Sequence, residues 1–184
     1  LCSSYNINKL NCLKMSCNIS LGRLEGCKDQ VGGLNAIYFL NFDDATYTID
    51  ASTEEASVVE TTPAAYKYDL RGTSTFEQSL TSSRENGTTF VEQTLTVSLK
   101  KQDSTTHKEV KLLAYGRPKV LIEDNNGNLF VMGHEYGAEM NATASTGAAM
   151  GDKSGYELTF VATEKQLAPI SADAISAYNV TVGS

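Results

Sequence analysis

The chain lacks several features that would narrow its function at once. It contains no tryptophan and 2 histidines in 184 residues, so the side chain most used for proton transfer near neutral pH is scarce. It has no run of about 18 apolar residues, which excludes a membrane-spanning helix. Basic residues are also in deficit, with 15 Lys and Arg against 22 Asp and Glu and a formal net charge of −7. Such a balance argues against binding nucleic acid through its phosphates, which requires a basic surface.

The 4 cysteines lie within the first 27 residues and do not have zinc-site spacing. Cys2, Cys12, Cys17 and Cys27 include no Cys-x2-Cys pair, so free thiols are the favoured interpretation. Residues 1–14 have no apolar core of about 7–15 residues, so a signal peptide is not indicated. We hypothesise that Met15 is the biological start and that residues 1–14 are a translated leader or a disordered N-terminal extension.

Residue patterns predict a chain of strands with one helix. The helix is expected over residues 104–115, with Asp103 or Ser104 as its cap and Val110, Leu113 and Ala114 as its apolar stripe. A glycine-rich arm, residues 21–33, precedes the first strand. Strands are predicted at residues 36–42, 47–49, 56–60, 119–123, 128–133 and 156–162, with a weaker one at 178–182.

The longest strand-like stretch, residues 66–100, is interrupted near its middle by Asn86-Gly87. If these two residues form a type I′ turn, Glu85 faces Thr88 and all other cross-strand pairs follow. One face of the ribbon is then mostly apolar, with the pairs Phe76–Val97, Gln78–Leu95, Leu80–Gln93 and Ser82–Val91. The opposite face carries Thr, Ser and Glu, with the pairs Glu77–Thr96, Ser79–Thr94, Thr81–Glu92 and Ser83–Phe90.

Motifs that would carry chemistry are incomplete. Residues 147–154 resemble a phosphate-binding loop, but Asp152 stands where that loop needs glycine, and its carboxylate would repel phosphate. A calcium-loop pattern is matched by Asp124, Asn126, Asn128 and Glu135, yet Leu129 replaces the required glycine, so a simple turn is favoured. His134-Glu135 lacks the second histidine of a zinc protease. We therefore predict no catalytic residue, no cofactor and no metal.

A resemblance emerges from the second half of the chain. The helix, the run from Val120 to Gly133, a small-residue loop at 143–155 and the segment from Ser154 to Phe160 follow one another. This succession resembles the C-terminal half of tail tube proteins of long-tailed bacteriophages, in particular those of Bacteroidetes phages. The resemblance implies a mainly β fold over residues 15–184: a single antiparallel β-sandwich or partial barrel with one flanking α-helix, assembling into a hexameric ring.

The resemblance also implies a function and partners. Stacked rings would form the tail tube in the virion tail, after synthesis in the bacterial host cytoplasm, and DNA would pass through transiently and without specific binding. Other tail proteins would be partners: a sheath or tail terminator, a baseplate initiator and a tape measure. No membrane span is expected.

Two groups of residues are expected to serve such an assembly. A wall of carboxylates and hydroxyls offers DNA no site to adhere, so we expect the lumen to be lined by Glu77, Thr81, Glu92, Thr94 and Thr96. The small-residue loop has few groups to pack and is expected to order on a neighbouring subunit through Thr146, Gly147, Gly151 and Asp152. The same is expected of the glycine-rich arm.

Two alternatives stay open. One is a monomeric secreted β-sandwich that binds carbohydrate or another ligand, with Tyr66 and Tyr68 beginning an aromatic platform; the lack of tryptophan counts against it. The other is the tube protein of a contractile injection system, which the sequence does not distinguish from a phage tube. The basic cluster of Lys100, Lys101, His107, Lys108 and Lys111 is interpreted as solvated surface.

Overall fold

The computed structural model describes residues 21–70 and 73–182. Its strands are β1 Leu34–Leu40, β2 Tyr47–Ile49, β3 Ala56–Val58, β4 Ala64–Asp69, β5 Thr75–Ser83, β6 Thr88–Lys100, β7 Lys119–Asp124, β8 Leu129–Met132, β9 Glu139–Ser145, β10 Gly155–Glu164 and β11 Asn179–Val182. The α-helix, α1, is Ser104–Tyr115, and a short 3-10 helix is Ile175–Ala177. The expectations for Met15, residues 1–14 and the first three cysteines lie outside the described residues.

The strands form three sheets, and the mainly β prediction is confirmed. A five-stranded sheet has the order β11-β4-β1-β7-β8, a four-stranded sheet has the order β5-β6-β10-β9, and β2 pairs with β3 alone. Every pairing is antiparallel except β11 with β4. Within the described residues, no helix is long and apolar enough to cross a membrane.

The five-stranded sheet is covered on both faces. Ile37, Phe39 and Val120 belong to the core shared with the four-stranded sheet. Their neighbours Tyr38 and Leu121 belong to a second core, packed against the β2–β3 hairpin and the C-terminal segment. Strands buried on both faces show continuous apolar runs instead of alternation, which explains why β1 and β7 are recognisable in the sequence.

The helix begins and ends where the sequence predicts. The Asp103 carboxylate caps it by accepting the Thr105 backbone N–H at 3.1 Å, and Gly116 ends it. Val110 is buried in the main core with Leu113 packed against it, so the apolar stripe of the helix closes the sandwich beside β9.

The predicted register of the β5–β6 hairpin is wrong by two residues. Phe76 lies opposite Leu95, and Ser83 lies opposite Thr88, so the connection has four residues instead of two. A type I′ turn needs positive φ at both central positions. Only Gly87, with φ of 63°, meets that condition here, and Asn86 does not. Because the slip is an even number of residues, every side chain keeps its predicted face.

Two further predictions are corrected. The stretch from residue 66 to residue 100 is not one ribbon, because β4 belongs to the five-stranded sheet. Strand β9 was not predicted, and its last three residues were assigned to the small-residue loop. Its sequence has few large apolar groups because, apart from Met140, its residues are exposed. A period of two was nevertheless present, with Met140, Ala142 and Ala144 alternating with polar residues.

Candidate functional site

The outward side of the four-stranded sheet, which we call the polar face, is the most unusual surface of the molecule. On β6, Val91, Gln93, Leu95 and Val97 are fully buried, so the even-numbered residues that alternate with them point outward. The polar face comprises Thr75, Glu77, Ser79, Thr81 and Ser83 of β5; Thr88, Phe90, Glu92, Thr94, Thr96, Ser98 and Lys100 of β6; Glu157, Thr159, Val161 and Thr163 of β10; and Glu139, Asn141, Thr143 and Ser145 of β9. Lys100, at the end of β6, is its one basic strand residue.

Carboxylates are distributed over all four strands of the polar face. Glu77 lies opposite Thr94, and Glu139 lies opposite Val161. Glu92 is flanked by Ser79 and Thr163, and Glu157 by Ser98 and Thr143. No glutamate is therefore the direct cross-strand partner of another, which avoids the repulsion between like charges placed opposite each other. The four glutamates are thus spread over the face, which they share with the basic groups of Lys100 and Lys153.

All five residues predicted to line a lumen lie on this face: Glu77, Thr81, Glu92, Thr94 and Thr96. The sequence missed the contribution of the other two strands, most notably Glu139 and Glu157. Recognising them required knowing that β10 lies between β6 and β9. That order is set by contacts between distant parts of the chain, whereas the β5–β6 hairpin is local.

The four-stranded sheet has two open edges. Strands β5 and β9 are outermost, and no other strand within the described residues pairs with them on that side. The β8 edge of the five-stranded sheet is different, because Val131 N–H donates to Pro169 at 2.9 Å and Ser171 N–H donates to Leu129 at 2.7 Å. Near the end of β9, the Gln102 side-chain amide donates to the Ser145 carbonyl at 2.8 Å and to the Gly155 carbonyl of β10 at 3.5 Å, and α1 packs beside the strand. Open strand edges are templates for pairing with another chain.

Hydrogen bonds within the small-residue loop form a turn around Asp152. The Asp152 carboxylate accepts the backbone N–H groups of Ala148 and Ala149 at 2.9 and 2.8 Å, and these bonds lower the pKa of Asp152. Gly147 adopts φ of 75°, where a Cβ would lie 2.6 Å from Asp152. A phosphate would need the same two N–H groups, so the resemblance to a phosphate-binding loop ends at Asp152.

The remaining predicted loop residues contribute less. The Thr146 hydroxyl contacts the Gly147 carbonyl at 3.5 Å, and Gly151 has open space around it. Lys153 extends from the loop to the polar face, where its ammonium donates to Ser98 Oγ at 2.8 Å. The loop is thus positioned at one end of that face.

The end of the glycine-rich arm docks on its own chain. Val31 and Asn126 form two hydrogen bonds of 2.9 Å, one from the Val31 N–H to Oδ1 and one from Nδ2 to the Val31 carbonyl. Asn125 Nδ2 also donates to Gly32 at 2.8 Å. Residues 21–30 are exposed throughout. Only that first part of the arm is free to meet another subunit.

The calcium-like pattern is a hydrogen-bonded turn. Asp124 Oδ1 accepts the N–H groups of Asn126 at 2.9 Å and Asn128 at 2.7 Å, and its other oxygen accepts both side-chain amides. Burial acts to raise the pKa of Asp124, but the bonds from Asn128 and Asn126 outweigh it and the pKa is lowered. Glu135 forms an ion pair with Lys165 instead of joining this turn.

A buried polar cluster, which the sequence did not reveal, lies behind the sheet. Glu164 is buried at the end of β10, and its Oε1 accepts the N–H groups of Glu135 and Tyr136 at 3.2 and 3.0 Å. Its Oε2 lies 3.8 Å from His134 Nδ1, which is too far for a hydrogen bond. Burial lowers the pKa of His134, so the imidazole is neutral at physiological pH. Gln93, also fully buried, accepts the Gly133 N–H at 3.1 Å.

A cleft of about 740 Å³ lies between α1 and the β1–β4 pair. Tyr66 and Tyr68, which the sequence suggested as the start of an aromatic platform, both line it together with Tyr115 and Arg117. Tyr68 packs edge-to-face on Phe39 with a centroid distance of 4.9 Å, so it is largely part of the core. The platform therefore amounts to Tyr66 and Tyr115, which are 43% and 79% exposed.

Comparison of the chain with protein-family models, with curated proteins and with solved structures found no match.

Proposed function

We propose that this protein is a structural subunit that assembles into hexameric rings, and that stacked rings form the tail tube through which phage DNA passes. The observation that carries the proposal is a four-stranded sheet with a polar outward face and two open edges. A ring in which neighbouring copies pair at these edges would use both features. The same assembly would suit the tube of a contractile injection system.

Ring closure deals with the open edges. If β5 of one copy pairs with β9 of the next, the unpaired backbone N–H and C=O groups of the two edges form hydrogen bonds with each other. The sheets of neighbouring copies then join into one continuous barrel. Such an interface is head-to-tail, so it generates a closed ring when the rotation between copies permits. The polar face then lies on one wall of the barrel, since all four strands present it on the same side.

The chemistry of the polar face suits a wall that DNA must pass without adhering. DNA binds proteins mainly by exchanging its condensed counterions for Lys and Arg. The four glutamates Glu77, Glu92, Glu139 and Glu157 repel phosphate, while the Ser and Thr hydroxyls between them keep the surface hydrated. This wall would interact weakly with DNA except at the end of the face where Lys100 and Lys153 lie.

Assembly in solution is the first test. The purified protein, begun at Met15, is measured by light scattering while the same sample is viewed by negative-stain electron microscopy. Six-membered rings or tubes with an open centre are the expected result. A monomer that persists at high concentration, even after fragments of preformed tube are added as seeds, would contradict the proposal.

The edges can be tested by proline substitution. Of two successive strand residues, one backbone N–H points into the sheet and the next points away, so proline is placed in turn at Ser79 and at Leu80 of β5. We expect the variant whose proline replaces an outward N–H to fold as a monomer but to form no rings. Proline placed in turn at Val180 and Thr181 of β11, an edge of the other sheet, is the matched control. Rings lost equally in both sets would contradict the assigned edges.

The cleft beside α1 favours a second candidate, a ligand-binding module. Tyr66 and Tyr115 expose aromatic surface beside the Arg117 guanidinium, an arrangement that sugars and aromatic ligands use. Screening the wild type and Tyr66→Ala against a glycan array tests this. Specific binding that the variant loses, in a protein that stays monomeric, would favour the module over the tube.

A further inference from the structure

We propose that His134, Glu164 and Glu135 form a zinc-binding site at the end of β10. Atoms of these three side chains that can ligate a metal all lie within 4.8 Å of one another. They come from two separate regions of the chain, the segment after β8 and the last residue of β10. The proposal is independent of whether the protein assembles into rings.

The carrying observation is a pair of buried polar atoms that face each other without a partner. His134 Nδ1 and Glu164 Oε2 have no hydrogen bond within the described residues, although both are buried. Their side chains are 9% and 0% exposed. Leaving such buried atoms unsatisfied is destabilising, so a native fold normally supplies a partner. At 3.8 Å they are too far apart to satisfy each other.

A single metal ion is the partner that fits both atoms. Zinc bonds of about 2.0–2.2 Å to nitrogen and oxygen span a separation of this size. Imidazole nitrogen with carboxylate oxygen favours zinc over calcium and magnesium, because those two ions prefer oxygen ligands alone. Glu164 is already oriented by the two backbone N–H groups on its other oxygen, as ligating carboxylates usually are.

Glu135 completes the site from the solvent side. Its side chain is 40% exposed and forms an ion pair with Lys165. Lys165 therefore competes with a metal for this carboxylate. A zinc ion held by the three side chains would take water as its fourth ligand. It would link the end of β10 to the loop formed by residues 133–138. Its expected effect is to stabilise the fold.

The test is zinc titration of the full chain after chelator treatment, by isothermal calorimetry with metal analysis of the dialysed complex. We expect one zinc per chain and a rise in Tm on the order of 5 °C at 100-fold excess over Kd. His134→Gln and Glu164→Gln should each abolish binding, while His107→Gln, the other histidine, should leave it unchanged. Lys165→Gln should tighten binding several-fold because it frees Glu135.

Cobalt substitution distinguishes this site from the cysteines and does not depend on any variant folding. Cobalt bound by nitrogen and oxygen gives weak visible bands only, whereas a thiolate ligand adds intense near-ultraviolet charge-transfer absorption. Visible bands alone are expected for the wild type. Thiolate absorption, binding that survives His134→Gln, or no stoichiometric binding to the wild type would each overturn the proposal.

Discussion

Glu77 and Glu139 lie at opposite edges of the four-stranded sheet in one cross-strand row. Glu77 is paired with Thr94, Thr94 with Val161, and Val161 with Glu139. The row spans the sheet from one open edge to the other, and both ends carry a carboxylate on the polar face. In the proposed ring, negative charge would therefore reach the boundary between neighbouring copies instead of ending within each one.

Reversing charge on the polar face should create a DNA-binding surface. The double variant Glu77→Lys, Glu92→Lys replaces two carboxylates with ammonium groups that displace condensed counterions from DNA. We expect assembled tubes of this variant to retain fluorescent DNA in co-sedimentation at about 50 mM salt and to release it by about 200 mM, whereas wild-type tubes retain none.

The matched control is Glu54→Lys, Glu55→Lys, which makes the same change in net charge at an exposed turn away from the polar face. If the control retains as much DNA as the first variant, DNA retention depends on the net charge of the protein and not on the polar face. That result would contradict the proposal that the polar face lines the channel.

Among Gly137, Gly87 and Gly151, replacement of Gly137 by alanine should destabilise the fold most. It has φ of 79°, and a Cβ there would lie 2.8 Å from the Arg117 carbonyl. Gly137→Ala should lower the free energy of unfolding by more than about 2 kcal/mol, measured by urea denaturation. Gly87→Ala has positive φ but open space, so it should cost about 1 kcal/mol. Gly151→Ala has neither constraint and should be neutral. Equal losses at Gly137 and Gly87 would show that the contact is relieved by a small backbone shift.

Gln93 should be essential to stability although its buried neighbours along β6, Val91 and Leu95, are apolar. Its side chain accepts the Gly133 N–H at 3.1 Å and donates to the Gln166 carbonyl at 3.4 Å. Gln93→Leu keeps the volume but leaves both groups unpaired, so we expect a loss of about 2–4 kcal/mol in urea denaturation. The exposed neighbour substitution Glu92→Gln should stay within about 0.5 kcal/mol of wild type. If Gln93→Leu leaves the free energy of unfolding unchanged, water must supply the hydrogen bonds that the Gln93 amide makes in the wild type.

Asp124 should contribute stability that acid removes. Its pKa is lowered below the ordinary value of 3.8, so its contribution is fully present above that pH and is lost as the pH falls through the lowered pKa. Asp124→Asn should be less stable than wild type by about 1 kcal/mol at neutral pH, and the difference should vanish in acid.

Thermal unfolding from about pH 6 down to about pH 2.5 measures this dependence on both sides of the ordinary pKa. Asp29→Asn, a substitution of the same type in the exposed arm, is the control and should change little at any pH. A difference between Asp124→Asn and wild type that stays constant with pH would contradict the role given to the carboxylate.

The two Asn-Gly pairs show how local signals act. Both mark hairpins, and in each the glycine alone takes positive φ, 63° at Gly87 and 85° at Gly127. The connections are longer than two residues because asparagine stays in ordinary backbone conformation. Turn composition thus located the hairpins, while packing of the flanking strands selected the register.

The sequence by itself determined the elements whose signal is local. The cap at Asp103 and the apolar stripe placed the helix, continuous apolar runs placed β1 and β7, and a period of two separated the faces of β5 and β6. Each depends on residues close together in the chain, so propensity and periodicity are sufficient.

Only the tertiary structure decided which strands became neighbours and which side chains met. It placed β10 between β6 and β9, which extends the polar face to Glu139 and Glu157. It also brought Glu164, at the end of β10, beside His134 in the turn after β8, although these segments belong to different sheets and no local pattern links them. These juxtapositions follow from burial of a shared core by distant segments. Glu139, Glu157 and the residues proposed to bind zinc therefore become visible only when the sheets are assembled, whereas the channel-lining residues of β5 and β6 are predictable from the sequence.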